Sequence, residues 1–310
     1  GGPGFMLPGA VARYGLDDEP TRRESPEESW TIAPGLRRGE TGPFGLGLVR
    51  VTSARPGATV TFGPWRAHPL DTASVEVFHE VRENSMLEYR FDEAAWARVP
   101  DDGVIQGAAP VRRLALRSRG TVDLYGVAVE TGAPGVVVDG AGVVGAHAAQ
   151  LAAIDWTSLG RQLTRRAPRL VAIQFGTNEV ASHHTRAAVI EATFAELIAR
   201  VKRHAPESAV LVFGPPDMAR REGETWVTPA GLADVIAAER RAAERAGAAF
   251  FDSLAALGGA GRMDELTRAR PALAYPDHIH LTRRGYEQLA DAYVDALTAG
   301  YTRWRSTHPD

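Results

Sequence analysis

The chain has 310 residues, 44% hydrophobic and 24% charged with a formal net charge of −3, which supports a sizeable core in one or two domains and excludes intrinsic disorder. Its 35 basic and 38 acidic side chains are interspersed, so there is no nucleic-acid or anionic-membrane footprint, and no apolar run nears the roughly 18 residues that span a bilayer. The absence of cysteine excludes disulfides, thiolate metal sites and a cysteine nucleophile, and leaves the redox compartment open.

The chain opens Gly1-Gly2-Pro3-Gly4-Phe5, with neither an initiator methionine nor a charged-then-apolar export segment, which leaves room for sequence upstream. From about 46 to 130 the apolar pattern has period two. Leu87, Tyr89 and Phe91 alternate with Glu88 and Arg90, and Val60 and Phe62 with Thr59 and Thr61, as in half-buried antiparallel strands. Similar runs at 46–53, 73–80, 111–117 and 121–130, separated by turns such as Arg55-Pro56-Gly57 and Asp101-Asp102-Gly103, predict a small β-sandwich.

After residue 135 short apolar runs alternate with helical stretches, the signature of βαβ units. Val136–Val138, Leu170–Phe175, Val210–Phe213 and Ala249–Phe251 are the expected strands. A helix carrying Leu151, Ile154, Leu159 and Leu163 is expected after the first of them. In 187–201 the residues Ala187, Ile190, Phe194, Leu197, Ile198 and Val201 form one helical stripe. Thr228-Pro229 has the chemistry to open the next helix. A last helix over about 283–304 sets Tyr286, Leu289, Tyr293 and Leu297 on one face. The pattern predicts a mostly parallel sheet flanked by helices, with ligands beyond the carboxyl ends of its strands.

Three segments carry candidate chemistry. In Asp277-His278-Ile279-His280 a carboxylate three residues before an imidazole can hold the tautomer that accepts a proton on the other nitrogen; His278 is assigned to solvent or packing. In Gly176-Thr177-Asn178-Glu179, at a strand end, the Asn178 amide is a neutral donor suited to an oxyanion, although the same residues suit a plain turn. Asp139-Gly140-Ala141-Gly142-Val143-Val144-Gly145 superficially matches a dinucleotide fingerprint, but no acidic residue follows at a second strand end; an N–H near Gly145 can serve an oxyanion equally well.

Other candidates have plainer readings. Ser253, in Phe251-Asp252-Ser253-Leu254, reads as a helix N-cap rather than a nucleophile. The pair His183-His184 reads as a loop or helix start rather than a metal site. His147 either lines the pocket or lies on the surface. Trp30, Trp65 and Trp96 suit core packing more than sugar stacking.

Taken in order, the glycine turn, Gly-Thr-Asn-Glu and Asp-x-x-His before the last helix resemble the SGNH (GDSL-type) hydrolases. More narrowly they resemble their peptidoglycan O-acetylesterase branch, matched by Gly1–Phe5, Gly142–Ala146, Gly176–Glu179 and Asp277–Tyr286. The resemblance implies a flavodoxin-like three-layer α/β fold: an SGNH domain over 1–27 and 131–310, and an inserted antiparallel β-sandwich over 28–130. It implies His280 as general base, Asp277 as its orienting carboxylate, and Asn178 and Gly145 as oxyanion donors. No metal or cofactor is implied. The family's serine stands upstream of all these blocks, so no nucleophile is expected within this chain, which is expected to be inactive alone. The expected activity is deacetylation of a cell-wall polysaccharide, O-acetylated peptidoglycan, in the periplasm or outside the cell. A non-catalytic wall-binding protein and a polysaccharide O-acetyltransferase are the alternatives.

Overall fold

The computed structural model describes residues 4–8, 21–22, 29–36, 41–63, 73–107, 110–182 and 186–308. Gly1–Pro3, Trp65 and His183-His184 lie outside them. The chain divides into two compact units, Gly1–Gly145 with Ala153–Arg166, and Ala146–Ala152 with Ala167–Asp310.

In the first unit the period-two pattern becomes β1 (Gly4–Met6), β2 (Thr21–Arg22), β3 (Trp30–Pro34), β4 (Val49–Ser53), β5 (Thr59–Phe62), β6 (Ala73–Val81), β7 (Met86–Phe91), β8 (Ala97–Arg98), β9 (Val104–Gly107), β10 (Leu114–Arg119) and β11 (Val122–Glu130). They form two antiparallel sheets. One runs β3-β4-β11-β6-β9, with β1 also on β11, and the other runs β2-β5-β10-β7-β8. Val49, Val51, Val75, Val77, Val122 and Leu124 of the first pack with Val60, Phe62, Leu87, Leu114 and Leu116 of the second in one core, which is the sandwich the alternation predicts. A bulge between Leu124 and Gly126 shifts the β11–β6 register. The extra residue keeps Val127 and Val129 in the core of Val122 and Leu124 and turns Tyr125 and Ala128 to the other face, against Phe5 and Phe78. Gly126 is needed there, because a Cβ would lie 2.6 Å from the Phe5 ring.

Two expectations fail on either side of Gly145. Val136–Val138 is not a strand; Val136 is 88% and Val138 84% exposed. An apolar run becomes a strand only when a neighbour takes its backbone groups, and no described strand pairs with this one. The single helix expected through Ile154 is two, α1 (Ala148–Ala153) and α2 (Trp156–Arg166). The break is at Asp155, whose carboxylate accepts the N–H of Thr157 at 2.8 Å and its hydroxyl at 2.7 Å and so starts a new helix.

In the second unit β12 (Leu170–Gln174), β13 (Ala209–Phe213) and β16 (Ala249–Phe251) form a parallel sheet in the order β12-β13-β16. Between and after them come α3 (Thr177–Ala181), α4 (Ala187–His204), the hairpin β14 (Arg220–Glu222) and β15 (Thr225–Val227), α5 (Gly231–Arg245), α6 (Ser253–Ala256), α7 (Met263–Arg268) and α8 (Arg283–Thr307). Successive side chains on a strand point to opposite faces, and β16 shows the layering. Phe250 meets Arg240 of α5, 4.4 Å from guanidinium to ring, while Phe251 and Phe213 meet Tyr293 of α8 at 5.5 and 5.0 Å between centroids. The sheet is thus the middle of three layers.

Within that frame α4 buries Ile190, Phe194, Leu197, Ile198 and Val201, the stripe read from spacing. Two helix details differ from expectation. Thr228 does not cap α5; its hydroxyl donates to Asp217 at 2.7 Å, and the helix begins at Gly231 without a side-chain cap. On α8 only Gly285 and Leu289 are buried, while Tyr286 is 51% and Leu297 56% exposed. Spacing marks an apolar face but not how much of its length is covered.

Candidate active site

The loop after α7 presents the charged pair expected from the sequence. The Asp277 Oδ2 stands 2.8 Å from Nδ1 of His280, while Oδ1 accepts the N–H groups of Ile279 at 2.9 Å and His280 at 3.0 Å. The carboxylate therefore fixes both the local turn and the ring. Burial pushes the Asp277 carboxyl up, but the bonds from the His280 N–H, its ring and the Ile279 N–H outweigh it, and the group stays ionised below the usual carboxylate range. With Nδ1 committed to Asp277, Nε2 is the nitrogen left to take a proton. The His280 side chain is 65% exposed, and no described hydroxyl bonds to Nε2. Backbone bonds close the loop: Tyr275 N–H donates to His280 O at 2.8 Å, and Thr282 N–H to Leu273 O at 2.9 Å. Thr282 caps α8 by accepting the Gly285 N–H, and Gly285 must be glycine because a Cβ would sit 2.0 Å from Leu273 O.

The turn after β12 holds Asn178 at the start of α3. Its Nδ2 donates to Ala146 O at 2.8 Å, so one of its two amide hydrogens is spent on the backbone and one remains. Gly176 stands at φ +112, and a Cβ there would lie 2.7 Å from both Pro215 and the Glu239 carboxyl. This close packing is the local reason for the glycine. Glu179, buried, braces the turn by accepting the N–H groups of Gly176 at 2.8 Å and Ala148 at 2.7 Å. Gly145 has φ +74 and open space where a Cβ would go; no described acceptor takes its N–H. Gly140 and Gly142 likewise have nothing within 4 Å of a built Cβ.

His278 is a packing residue, as one of its two expected roles holds: it is 6% exposed. Ser253 departs from expectation. Asp252 is the N-cap of α6, accepting the Ala255 N–H at 2.9 Å, and Ser253 is the first helical residue, fully buried with its Oγ unbonded. Ser253→Ala is therefore expected to leave turnover of an active form unchanged and to raise stability by about 1 kcal/mol, since it removes an unsatisfied buried hydroxyl; denaturant unfolding and an esterase assay check both. A loss of activity of several hundredfold would make Ser253 the nucleophile. His147 is partly exposed, with Nδ1 3.8 Å from Glu179 Oε1. Trp30 is core, 3% exposed. Trp96 is half-buried, with the guanidinium groups of Arg117 and Arg90 at 4.1 and 4.7 Å from its ring, a cation–π contact rather than core packing.

Sequence reading missed Glu239, Asp264 and Trp226, all near these loops. Glu239 is completely buried with both oxygens unbonded. Asp264 and Trp226 contact His278. None lies in a recognisable motif, and their positions follow from packing alone. Among the described residues no cluster of three or more His, Asp or Glu side chains is placed to hold a metal ion, and no helix is long and apolar enough to cross a membrane.

Comparison with known proteins bears on this constellation. The GDSL-like lipase/acylhydrolase family matches residues 115–288, more than half of the chain and a span that includes Gly145, Asn178, Asp277 and His280. The chain belongs to the GDSL-like lipase/acylhydrolase family. Its membership places it in the SGNH hydrolase superfamily and makes it a carboxylic ester hydrolase by class. In fold, nearly the whole chain is similar to a structure described as a peptidoglycan O-acetylesterase in action, with 21% identity and a TM-score of 0.81 over 96% of this chain and 82% of that one. Smaller overlaps are found with LAE5, an alpha/beta hydrolase from the metagenome of Lake Arreo, Spain (25% identity, TM-score 0.37, 49% of this chain and 68% of that one). An acetyl-xylooligosaccharide esterase from Geobacillus overlaps similarly (21%, TM-score 0.38, 49% and 68%). No curated protein matches by sequence.

Proposed function

We propose that this GDSL-like protein removes O-acetyl groups from a cell-wall polysaccharide, O-acetylated peptidoglycan, outside the cytoplasm. The observation that supports it most is the Asp277–His280 pair, with Nδ1 held by the carboxylate and Nε2 uncommitted. In this reading His280 Nε2 takes the proton of a serine hydroxyl as its oxygen attacks the acetyl carbonyl. The free Asn178 amide hydrogen and the Gly145 N–H stabilise the oxyanion. The sugar oxygen leaves with the proton returned from His280, and water then attacks the acyl-serine to give acetate.

The serine is proposed to come from sequence upstream of Gly1, as the order of the matching blocks implies by resemblance to the family; among the described residues no hydroxyl bonds to His280 Nε2. The sheet supports the same reading. Among the described residues β12 pairs only with β13, and its other edge, with Leu170 42% exposed, offers backbone groups to a further strand. The β-sandwich is proposed to be an insertion in an SGNH domain, with the expected bounds 28–130 extended toward the N-terminus because β1 (Gly4–Met6) and β2 (Thr21–Arg22) pair with the sandwich strands β11 and β5.

The test is acetate release from O-acetylated peptidoglycan, and from acetylated xylan as a second substrate, by this chain and by a form extended upstream in its own gene. Release by the extended form alone is expected. Release from xylan only would move the substrate, acetyl transfer to an added sugar in place of release would make the protein a transferase, and two folded but inactive forms would favour the wall-binding alternative.

A further inference from the structure

His278, between the two members of the Asp277–His280 pair, stands at φ +58, the left-handed region that favours glycine over residues with a Cβ. Strain of this kind persists only where the surroundings hold it, and here they hold every part of the residue. The imidazole lies flat on Trp226 of β15, with 3.6 Å between centroids and 11° between planes. Its Nδ1 is 2.9 Å from Pro276 O, and its Nε2 is 3.2 Å from Oδ1 of Asp264 on α7. Its own carbonyl accepts the Ala219 N–H at 2.8 Å, and its N–H donates to Tyr275 O at 3.0 Å. The anchors are themselves fixed. Asp264 pairs with Arg268, and the buried Asp217, two residues before Ala219, accepts the Thr228 hydroxyl at 2.7 Å and the Met263 N–H at 2.8 Å. The turn that puts Asp277 Oδ1 on two N–H groups and Oδ2 on the His280 ring is thus built on a residue in an unfavoured conformation, clamped by a side chain that points away from the pair.

We propose that His278 is a positioning residue, whose ring, clamped between Trp226, Asp264 and Pro276, holds the backbone turn that presents His280 to its Asp277 partner. The proposal rests on the Asp277–His280 reading above. It makes His278 part of the site's specification rather than filler: a side chain supplies what a glycine at the same φ would leave to the backbone alone. Flexible loops hold catalytic geometry only when neighbouring contacts lock them.

The test compares His278→Ala with His278→Gly by NMR of imidazole-labelled protein, reading the His280 tautomer and the exchange of its Nδ1 proton with water. Alanine keeps the backbone strain and deletes the clamp, so exchange is expected to speed up by about tenfold, with a mixed tautomer, since roughly one hydrogen bond's worth of ordering is lost. Glycine also deletes the clamp but relieves the strain, and is expected to recover part of the wild-type signal. Asp264→Ala, which removes only one anchor from a partly exposed helix, should give an intermediate effect and replaces His278→Ala if that variant fails to fold. Wild-type exchange and tautomer in a folded His278→Ala, or in Asp264→Ala where it stands in, would overturn the proposal. The readout needs no turnover, so a protein inactive as an esterase in which His278→Ala still speeds the exchange would sink the functional reading and leave this one standing.

Discussion

Replacing His280 with alanine in the upstream-extended protein is expected to cut acetate release by about 10²–10⁴-fold, mostly in kcat, which is the range a general base contributes. A serine hydroxyl is a poor nucleophile at neutral pH unless a base within hydrogen-bond reach takes its proton as it attacks. His280 is suited to this because Asp277 occupies Nδ1 at 2.8 Å and leaves Nε2 to accept. In the proposed step that nitrogen moves a proton rather than holding the ground-state substrate, so KM should move little. The acid side of the pH profile carries a second mark. Asp277 is held below the usual carboxylate range by the bonds it receives, so the orienting charge is present at and above about pH 4 and is lost only as pH falls through its lowered value. A loss of activity in a folded protein between pH 5 and 7 therefore reports on another group, not on Asp277. Less than a tenfold loss in His280→Ala, measured beside wild type as acetate per enzyme, would remove His280 from the base's role.

Much of this arrangement is legible in the sequence because its signals are local. The α4 stripe of Ile190, Phe194, Leu197, Ile198 and Val201 is a helical period written in residue types, and the Asp277–His280 bond spans three residues, so the pairing is readable from spacing although the contacts that hold its turn are not. The features that escaped depend on distant segments. Val136–Val138 has the composition of a strand, but a strand exists only with a partner for its backbone. Tyr286 and Leu297 sit on the right face of α8 for burial and remain exposed, because cover comes from elsewhere in the chain. The exchange of roles between Asp252 and Ser253 turns on which of two adjacent oxygens reaches the Ala255 N–H, a difference of one residue that composition does not encode. Glu239 and Trp226 stand in no motif at all. Their place beside the candidate site exists only after α5 and the β14–β15 hairpin have folded against it.

Glu239→Gln is expected to stabilise the protein by about 3 kcal/mol at pH 7, an unusual sign for a substitution at a fully buried position. Burial, and then the nearby Glu179 charge, push the Glu239 carboxyl up to about 10, and neither oxygen has a hydrogen-bond partner. In the unfolded chain the same group titrates near the ordinary value of 4.5. Between these values the folded state binds a proton that the unfolded state has released, so stability is full below pH 4.5 and falls with rising pH, by about 1.4 kcal/mol per unit, until the folded group itself ionises. Glutamine has the same shape and no proton to lose, so it abolishes this slope. Denaturant unfolding of wild type and variant across pH 4.5 to 9 is the measurement: the two curves should meet at the acid end and part steadily toward the alkaline end. The position gives the effect a functional side. The Glu239 carboxyl packs against Gly176, where a Cβ would come within 2.7 Å of it, one residue from the turn that carries Asn178. A neutral carboxyl there can lie beside Glu179 without charge repulsion, and Glu179 stays free to accept the Gly176 and Ala148 N–H groups. Parallel stability curves, with no difference that grows with pH, would show that Glu239 ionises normally and that the turn is held by Glu179 alone.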